Sequence, residues 1–176
     1  MKKKLNILLT CAGGELIPQT IKYIKKNHKF NVKVVGVDLN LNAIGKTFCD
    51  HFYQICKPEN PKRYIKEINA ISKKHNINII IPTSDEESLC LAKHRNLIER
   101  KNLKITNADF STLKIFSNKV STYKKLEELG IKTPKFLEVK SFKELLKLIK
   151  IKKDFVLKPA VARGGRDVYI VSNKGN

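Results

Sequence analysis

A chain of 176 residues is long enough for one or two domains with a real core, and 41% hydrophobic with 7% aromatic residues exclude a disordered chain. Thirty-six Lys and Arg against 16 Asp and Glu leave a formal charge of +20, which attracts polyanions in general. The lysines spread from Lys2 to Lys174 among many Asn and Ile residues, so the charge reads as a bias of the whole composition and a nucleic-acid role is disfavoured.

In chain order, residues 5–10, 32–37 and 77–81 are predominantly apolar runs that predict strands buried on both faces, with a short fourth at 103–105. Helices are predicted between them. Residues 15–26 place Leu16, Ile17, Thr20, Ile21 and Ile24 on one side, residues 61–75 do the same with Tyr64, Ile65, Ile68 and Ile71, and residues 85–100 follow the third strand. The alternation β-α-β-α-β-α predicts an α/β fold, a Rossmann-like parallel sheet over residues 1–106, whose ligands bind beyond the carboxyl ends of the strands.

Three such ends are candidate sites. Thr10-Cys-Ala-Gly-Gly14 follows the first strand, and Gly13 and Gly14 allow close approach of a ligand, but the full G-x-G-x-x-G fingerprint is absent and a nicotinamide dehydrogenase is disfavoured. Asp38 ends the second strand, where an acid either meets a ribose hydroxyl or opens a turn. After the third strand come Pro82-Thr-Ser-Asp-Glu-Glu87, in which Asp85 and Glu86 either contact substrate or serve as first-turn acids of a helix capped by Ser84 or Asp85.

Beyond residue 106 the organisation changes. Helices at 109–117 and 118–129 form a connection over 107–134, closed by Gly130-Ile-Lys-Thr-Pro134. An α+β subdomain then starts at 135–176, with a strand at 136–139, a helix at 141–151 carrying Ser141 and Glu144 in capping-box spacing, and a strand at 155–158. On that last strand Val156 and Lys158 share one face, so the lysine leaves the sheet where a long connection begins. Gly164 and Gly165 let backbone N–H groups close over an anion, and Arg163 and Arg166 add forked donors. The same residues also fit a mobile basic hairpin.

No stretch reaches the apolar length of a membrane-crossing helix, and the apolar run at 5–9 is too short for a signal peptide. Cys11, Cys49, Cys56 and Cys90 show neither zinc nor disulfide spacing, which fits a reducing cytoplasm; Cys11, Cys56 and Cys90 are expected to be small core residues. His28, His51, His75 and His94 lack metal-ligand spacing, so no metal site is assigned.

Asn118-Lys119 opening a helix, Gly130-Ile-Lys-Thr-Pro134 ending it, and Phe155-Val-Leu-Lys-Pro-Ala followed by Arg163-Gly-Gly-Arg-Asp-Val resemble the ATP-grasp superfamily. Leu8-Leu-Thr-Cys-Ala-Gly-Gly, Val35-Gly-Val-Asp and Ile81-Pro-Thr-Ser-Asp-Glu-Glu are similar to the pre-ATP-grasp domain of proteins resembling the carbamoyl-phosphate synthase large chain. The resemblance implies that Lys119 and Lys158 contact nucleotide phosphates and that the 163–167 loop folds over them. It also implies ATP and magnesium as cofactors, a small carboxylate substrate, and an acyl phosphate that an amine or similar nucleophile attacks. In that family the adenine hinge, the magnesium ligands and a catalytic arginine lie downstream of the glycine loop, so no catalytic residue is assigned here. Magnesium ligands are expected outside the chain, which alone is expected to be inactive without a carboxyl-terminal half or a second chain. The alternative reading is a non-catalytic binding or scaffold protein, polyanion-binding in one form, that retains the Rossmann-like half.

Overall fold

The apolar residues Ile7, Leu8 and Leu9 lie at the carboxyl end of β1 (Lys3–Leu9) and are almost fully buried. Each such side chain contributes about 1.5–3 kcal/mol of burial free energy, so β1 must be covered on both faces. A computed structural model describes residues 2–151, 154–162 and 164–172 and divides the chain into two units, between Leu113 and Lys114.

In the first unit β1 pairs in parallel with β2 (Phe30–Asp38), from Lys3 opposite Phe30 to Leu9 opposite Gly36. On its other side it pairs with β4 (Ile79–Ile81). β3 (His51–Gln54) extends the sheet beyond β2 and β5 (Lys104–Ile105) beyond β4, giving five parallel strands in the order β3-β2-β1-β4-β5. Alternation divides the core in two. Leu8, Val35, Val37 and Ile80 pack with α2 (Pro61–Lys74) and α3 (Asp85–Lys93), whereas Ile7, Leu9 and Val34 pack with α1 (Ile17–Lys25). The expected three-layer α/β arrangement is therefore present.

Local chemistry sets the helix ends. The Asn60 side chain accepts the Arg63 N–H ahead of α2, Pro61 occupies its first turn, and the Ser84 hydroxyl accepts the Glu87 N–H at the start of α3. The helix expected to run to residue 100 stops at Lys93. There His94 Nδ1 lies 2.9 Å from the Cys90 carbonyl, and Arg95–Leu97 tighten into a 3₁₀ turn. The turn serves burial, since it brings Ile98 and Leu103 into the core, and the Arg95 guanidinium donates to Glu99 and to the Ile105, Asn107 and Ala108 carbonyls.

Three further expectations are corrected. β3 was not foreseen, because His51-Phe-Tyr-Gln is an edge strand with two exposed and two partly buried residues and no apolar run. The strand expected at 136–139 does not form: among the described residues no neighbour pairs its backbone, and the Phe136 ring packs 5.0 Å from the Tyr123 ring instead. Cys90 is buried, but Cys11 and Cys56 are half-exposed, Cys11 because it sits in the turn after β1 with φ of +49°.

α4 (Phe110–Phe116) contains the division between the units. In the second unit Asn118 Oδ1 accepts the Val120 and Ser121 N–H groups at the head of α5 (Lys119–Glu128), and Gly130, at φ +72°, ends that helix. α6 (Phe142–Ile151) is capped by Ser141 as expected, Glu144 N donating to Ser141 Oγ at 3.2 Å, but the Glu144 carboxylate accepts the N–H of Lys140, one residue before the cap, at 2.8 Å. β6 (Asp154–Leu157) and β7 (Tyr169–Ser172) form an antiparallel ribbon. Among the described residues no helix is long and apolar enough to cross a membrane.

Packing around β2 leaves no room for a larger side chain at Gly36. A Cβ on Gly36 would stand 2.5 Å from Cys49 Sγ and 3.3 Å from Ala12 Cβ. Gly36→Ala is expected to lower stability by about 1–3 kcal/mol in urea denaturation, and adding Cys49→Ala to recover most of the loss, because the sulfur is the obstacle.

Candidate functional site

At the carboxyl edge of the first unit the three strand ends meet. Thr10 N donates to the Ile81 carbonyl at 3.2 Å, Thr83 Oγ1 donates to the Thr10 carbonyl, and Ala12 N donates to the Val37 carbonyl at 3.0 Å. The loop that holds Gly13 and Gly14 is thus tied to both neighbouring strands.

Asp38 ties it further. One carboxylate oxygen accepts the Gly13 N–H at 2.7 Å and the other accepts the Asn40 N–H at 2.7 Å, with the residue only 8% exposed. Of the two roles foreseen for Asp38, opening the turn is the one its bonds perform. A Cβ on Gly13 would lie 3.0 Å from the same carboxylate, so the close approach at this glycine is to Asp38 itself.

Asp85 and Glu86 occupy the exposed first turn of α3, while the buried acid is the next residue, Glu87. Ser84 Oγ donates to its carboxylate at 3.0 Å. Among the described residues the fully buried hydroxyls of Thr10 and Tyr64 make no hydrogen bond of good geometry, yet they lie close enough to Glu87 to favour its charged form. Burial outweighs this help and, with the Asp38 charge, pushes the Glu87 carboxyl above its ordinary value. Burial likewise pushes the Tyr64 phenol up. Sequence reasoning missed Glu87 because three successive acids after a cap all read as helix-dipole partners; its burial on the side of Cys90 and Leu91 was the available signal.

In the second unit the foreseen lysines both stand at the long connection between β6 and β7. Lys119 opens α5, where its backbone N–H donates to the Ala160 carbonyl at 2.8 Å and its ammonium to the Ala162 carbonyl at 2.7 Å. Lys158 directly follows β6. Its ammonium lies 3.0 Å from Tyr123 Oη and 5.3 Å from the centre of that ring, and Phe136 backs the tyrosine. Tyr123 was not foreseen, since nothing local marks a partner 35 residues away.

Gly164 and Gly165 adopt φ of +62° and +71°, and Asp167 follows at +53°. A Cβ at either glycine would meet nothing within 4 Å among the described residues, so backbone conformation is what calls for glycine. Arg166 is exposed in the same turn; Arg163 lies outside the described residues. Each lysine ammonium carries three donors, which leaves donors beyond the contacts just given for an added oxyanion. Among the described residues no group of three His, Cys, Asp or Glu gathers as a metal site.

Comparisons with known proteins agree with this division. A family model described as the PylC-like N-terminal domain matches residues 7–106, and one described as the ATP-grasp domain matches residues 116–176. Among curated proteins no sequence match was found. The fold is similar to that of N5-carboxyaminoimidazole synthetase from Staphylococcus aureus complexed with ADP, at TM-score 0.74 and 18% identity over 99% of this chain and 43% of that one. It is also similar to the biotin carboxylase domain of Hydrogenobacter thermophilus 2-oxoglutarate carboxylase, at 0.67 and 16% over 96% and 37%, and to an L-amino acid ligase from Bacillus licheniformis, at 0.63 and 18% over 99% and 40%. The chain therefore spans about two-fifths of the length of these solved structures. With a PylC-like N-terminal domain over most of its first unit and ATP-grasp sequence over its second, the chain belongs to the ATP-grasp superfamily.

Proposed function

We propose that the chain is the amino-terminal part of an ATP-dependent ligase that joins a small carboxylate to an amine through an acyl phosphate. In that reaction a carboxylate oxygen attacks the γ-phosphorus, the bond to the ADP oxygen breaks, and the amine then attacks the carbonyl carbon, releasing phosphate and a proton. The observation that carries the reading is the convergence of Lys119 and Lys158 on the glycine connection, one through two bonds to its carbonyls and one at its first residue. Two of the similar solved structures hold ADP, one of them with magnesium, which supports the same cofactors here.

In this reading Lys119, Lys158, Gly164, Gly165, Arg166 and Arg163 hold the phosphates. Tyr123 keeps the Lys158 ammonium aimed away from β6 so that its remaining donors face the incoming anion. Magnesium, when bound, would neutralise phosphate charge, but the described residues gather no ligand set for it, so no step of this chain's chemistry is derived through it. At the first unit's carboxyl edge, Gly13, Gly14, Asp85 and Glu86 offer backbone and side-chain contacts to the substrate, and Asp38 braces the loop. The use of ATP and four cysteines that form no disulfide among the described residues support a cytoplasmic setting.

Titration of the chain with ATP tests the nucleotide half. Lys158→Ala is expected to weaken binding about tenfold, the worth of a lost charged hydrogen bond, whereas Lys147→Ala on the exposed face of α6 leaves it unchanged. Tyr123→Phe keeps the ring but not the hydroxyl and is expected to fall between them. Equal effects of Lys158→Ala and Lys147→Ala would reduce Lys158 to ordinary surface charge and remove the reading.

Glu87 gives a pH test of the other edge. Because its folded value lies above the ordinary 4.5, the native chain holds a proton that the unfolded chain has released, and stability falls as pH rises from 4.5 through the raised value. Glu87→Gln keeps an acceptor for Ser84 and removes that cost. It is expected to raise the urea midpoint at pH 7 and to leave it unchanged below about pH 4.

A further inference from the structure

On the sheet face covered by α2, the strands change character halfway along. Towards their carboxyl ends Leu8, Val35 and Val37 are core, but towards their amino ends the same alternation brings Lys4 and Asn6 on β1, Lys33 on β2 and His51 on β3 to that face. The end of α2 turns over this polar row, where Lys74, His75 and Asn76 close a hollow of about 450 Å³.

His75 is the pivot of the hollow. Its ring is buried, Nε2 lies 2.8 Å from Tyr53 Oη, and the exposed His51 ring lies 4.4 Å away at 33°. Its carbonyl accepts the Asn6 side-chain N–H at 2.8 Å, which fixes the turn to β1. The surrounding charge is one-sided. Lys4, Lys33 and Lys74 make no ion pair among the described residues. The one carboxylate lining the hollow, Asp50, is already engaged, by Lys25 at 2.9 Å through one oxygen and by the Val34 N–H at 2.7 Å through the other. The carbonyls that end α2 answer part of the Lys74 charge, and its ammonium also lies 5.2 Å from the Tyr53 ring centre; Lys4 and Lys33 stand on strands.

We propose that this hollow, at the sheet edge opposite Thr10–Gly14, is a binding site for a small tetrahedral oxyanion of the phosphate class. Like charges held together raise the free energy of the empty site, and an anion with several acceptor oxygens recovers it. The hollow is bounded on one side by the α2–β4 turn, which suits a single anionic group and not an extended polymer. Burial first, then the charges of His51, Lys33 and Lys74, hold the His75 imidazole below its ordinary value of 6.5. The native chain therefore binds this proton less readily than the unfolded one, and a bound anion reverses that preference. Binding strengthens as pH falls through the His75 range.

Sulfate, a dianion throughout this range, is the probe. It is titrated into the full chain at pH 5.5 and pH 7.5 at constant ionic strength, with the histidine ring protons read by NMR. Saturable shifts of His51 and His75, tighter at the lower pH, and a rise in the His75 titration midpoint are expected. Lys33→Gln with Lys74→Gln is expected to weaken binding about fivefold, while Lys101→Gln, exposed beyond α3, changes nothing. Parallel titrations at pH 7.5 with inorganic phosphate and glycerol phosphate distinguish a free anion from the phosphoryl group of a larger molecule. Equal shifts with chloride, or equal weakening by Lys101→Gln, would overturn the proposal, since diffuse lysine charge would then account for the binding. A His75 midpoint that sulfate leaves unmoved would overturn it as well.

Discussion

Burial of β1 on both faces is the constraint on which the first unit depends. Over residues 7–9 the strand is covered on two sides and paired on two edges, so the register of β2 and β4 follows from it. That register brings the carboxyl ends of β1, β2 and β4 to one level. The loops leaving those ends then bond to one another instead of to water, and the edge is held by the frame and not by loop residues alone.

The same edge keeps two carboxylates in opposite conditions. Asp38 is nearly buried but accepts a backbone N–H on each oxygen. Glu87 is as buried and has one firm donor, Ser84, beside two hydroxyls poorly aimed at it. One acid maintains the loop; the other stores an unfavourable charge, the kind of imbalance that marks binding edges more often than cores.

Much of this was legible in the sequence. The apolar runs gave the three central strands because their carboxyl halves are buried on both faces and carry almost only apolar residues, and Asn118, Ser84 and the Ser141/Glu144 pair announced their helices through capping chemistry that is local by nature. What escaped was non-local. β3 is a strand only because β2 offers it a partner, and residues 136–139, which look extended, are no strand because nothing among the described residues pairs with them. Tyr123 beneath Lys158, and His51 against His75, meet across 35 and 24 residues of chain, distances at which no spacing rule operates. Glu87 was hidden by its acidic neighbours, which share its composition but not its burial.

The ribbon of β6 and β7 sets a limit on how the phosphate loop is held. Val156 and Ile170 face each other across it with 56% and 83% of their surface exposed, and two strands with such a face are marginal in water. Amide hydrogens of the ribbon will exchange with solvent well before those of the buried carboxyl half of β1, residues 7–9. During such openings the loop keeps its tie to α5 through the two Lys119 bonds, so the start of the helix, and not the ribbon, is the loop's lasting anchor.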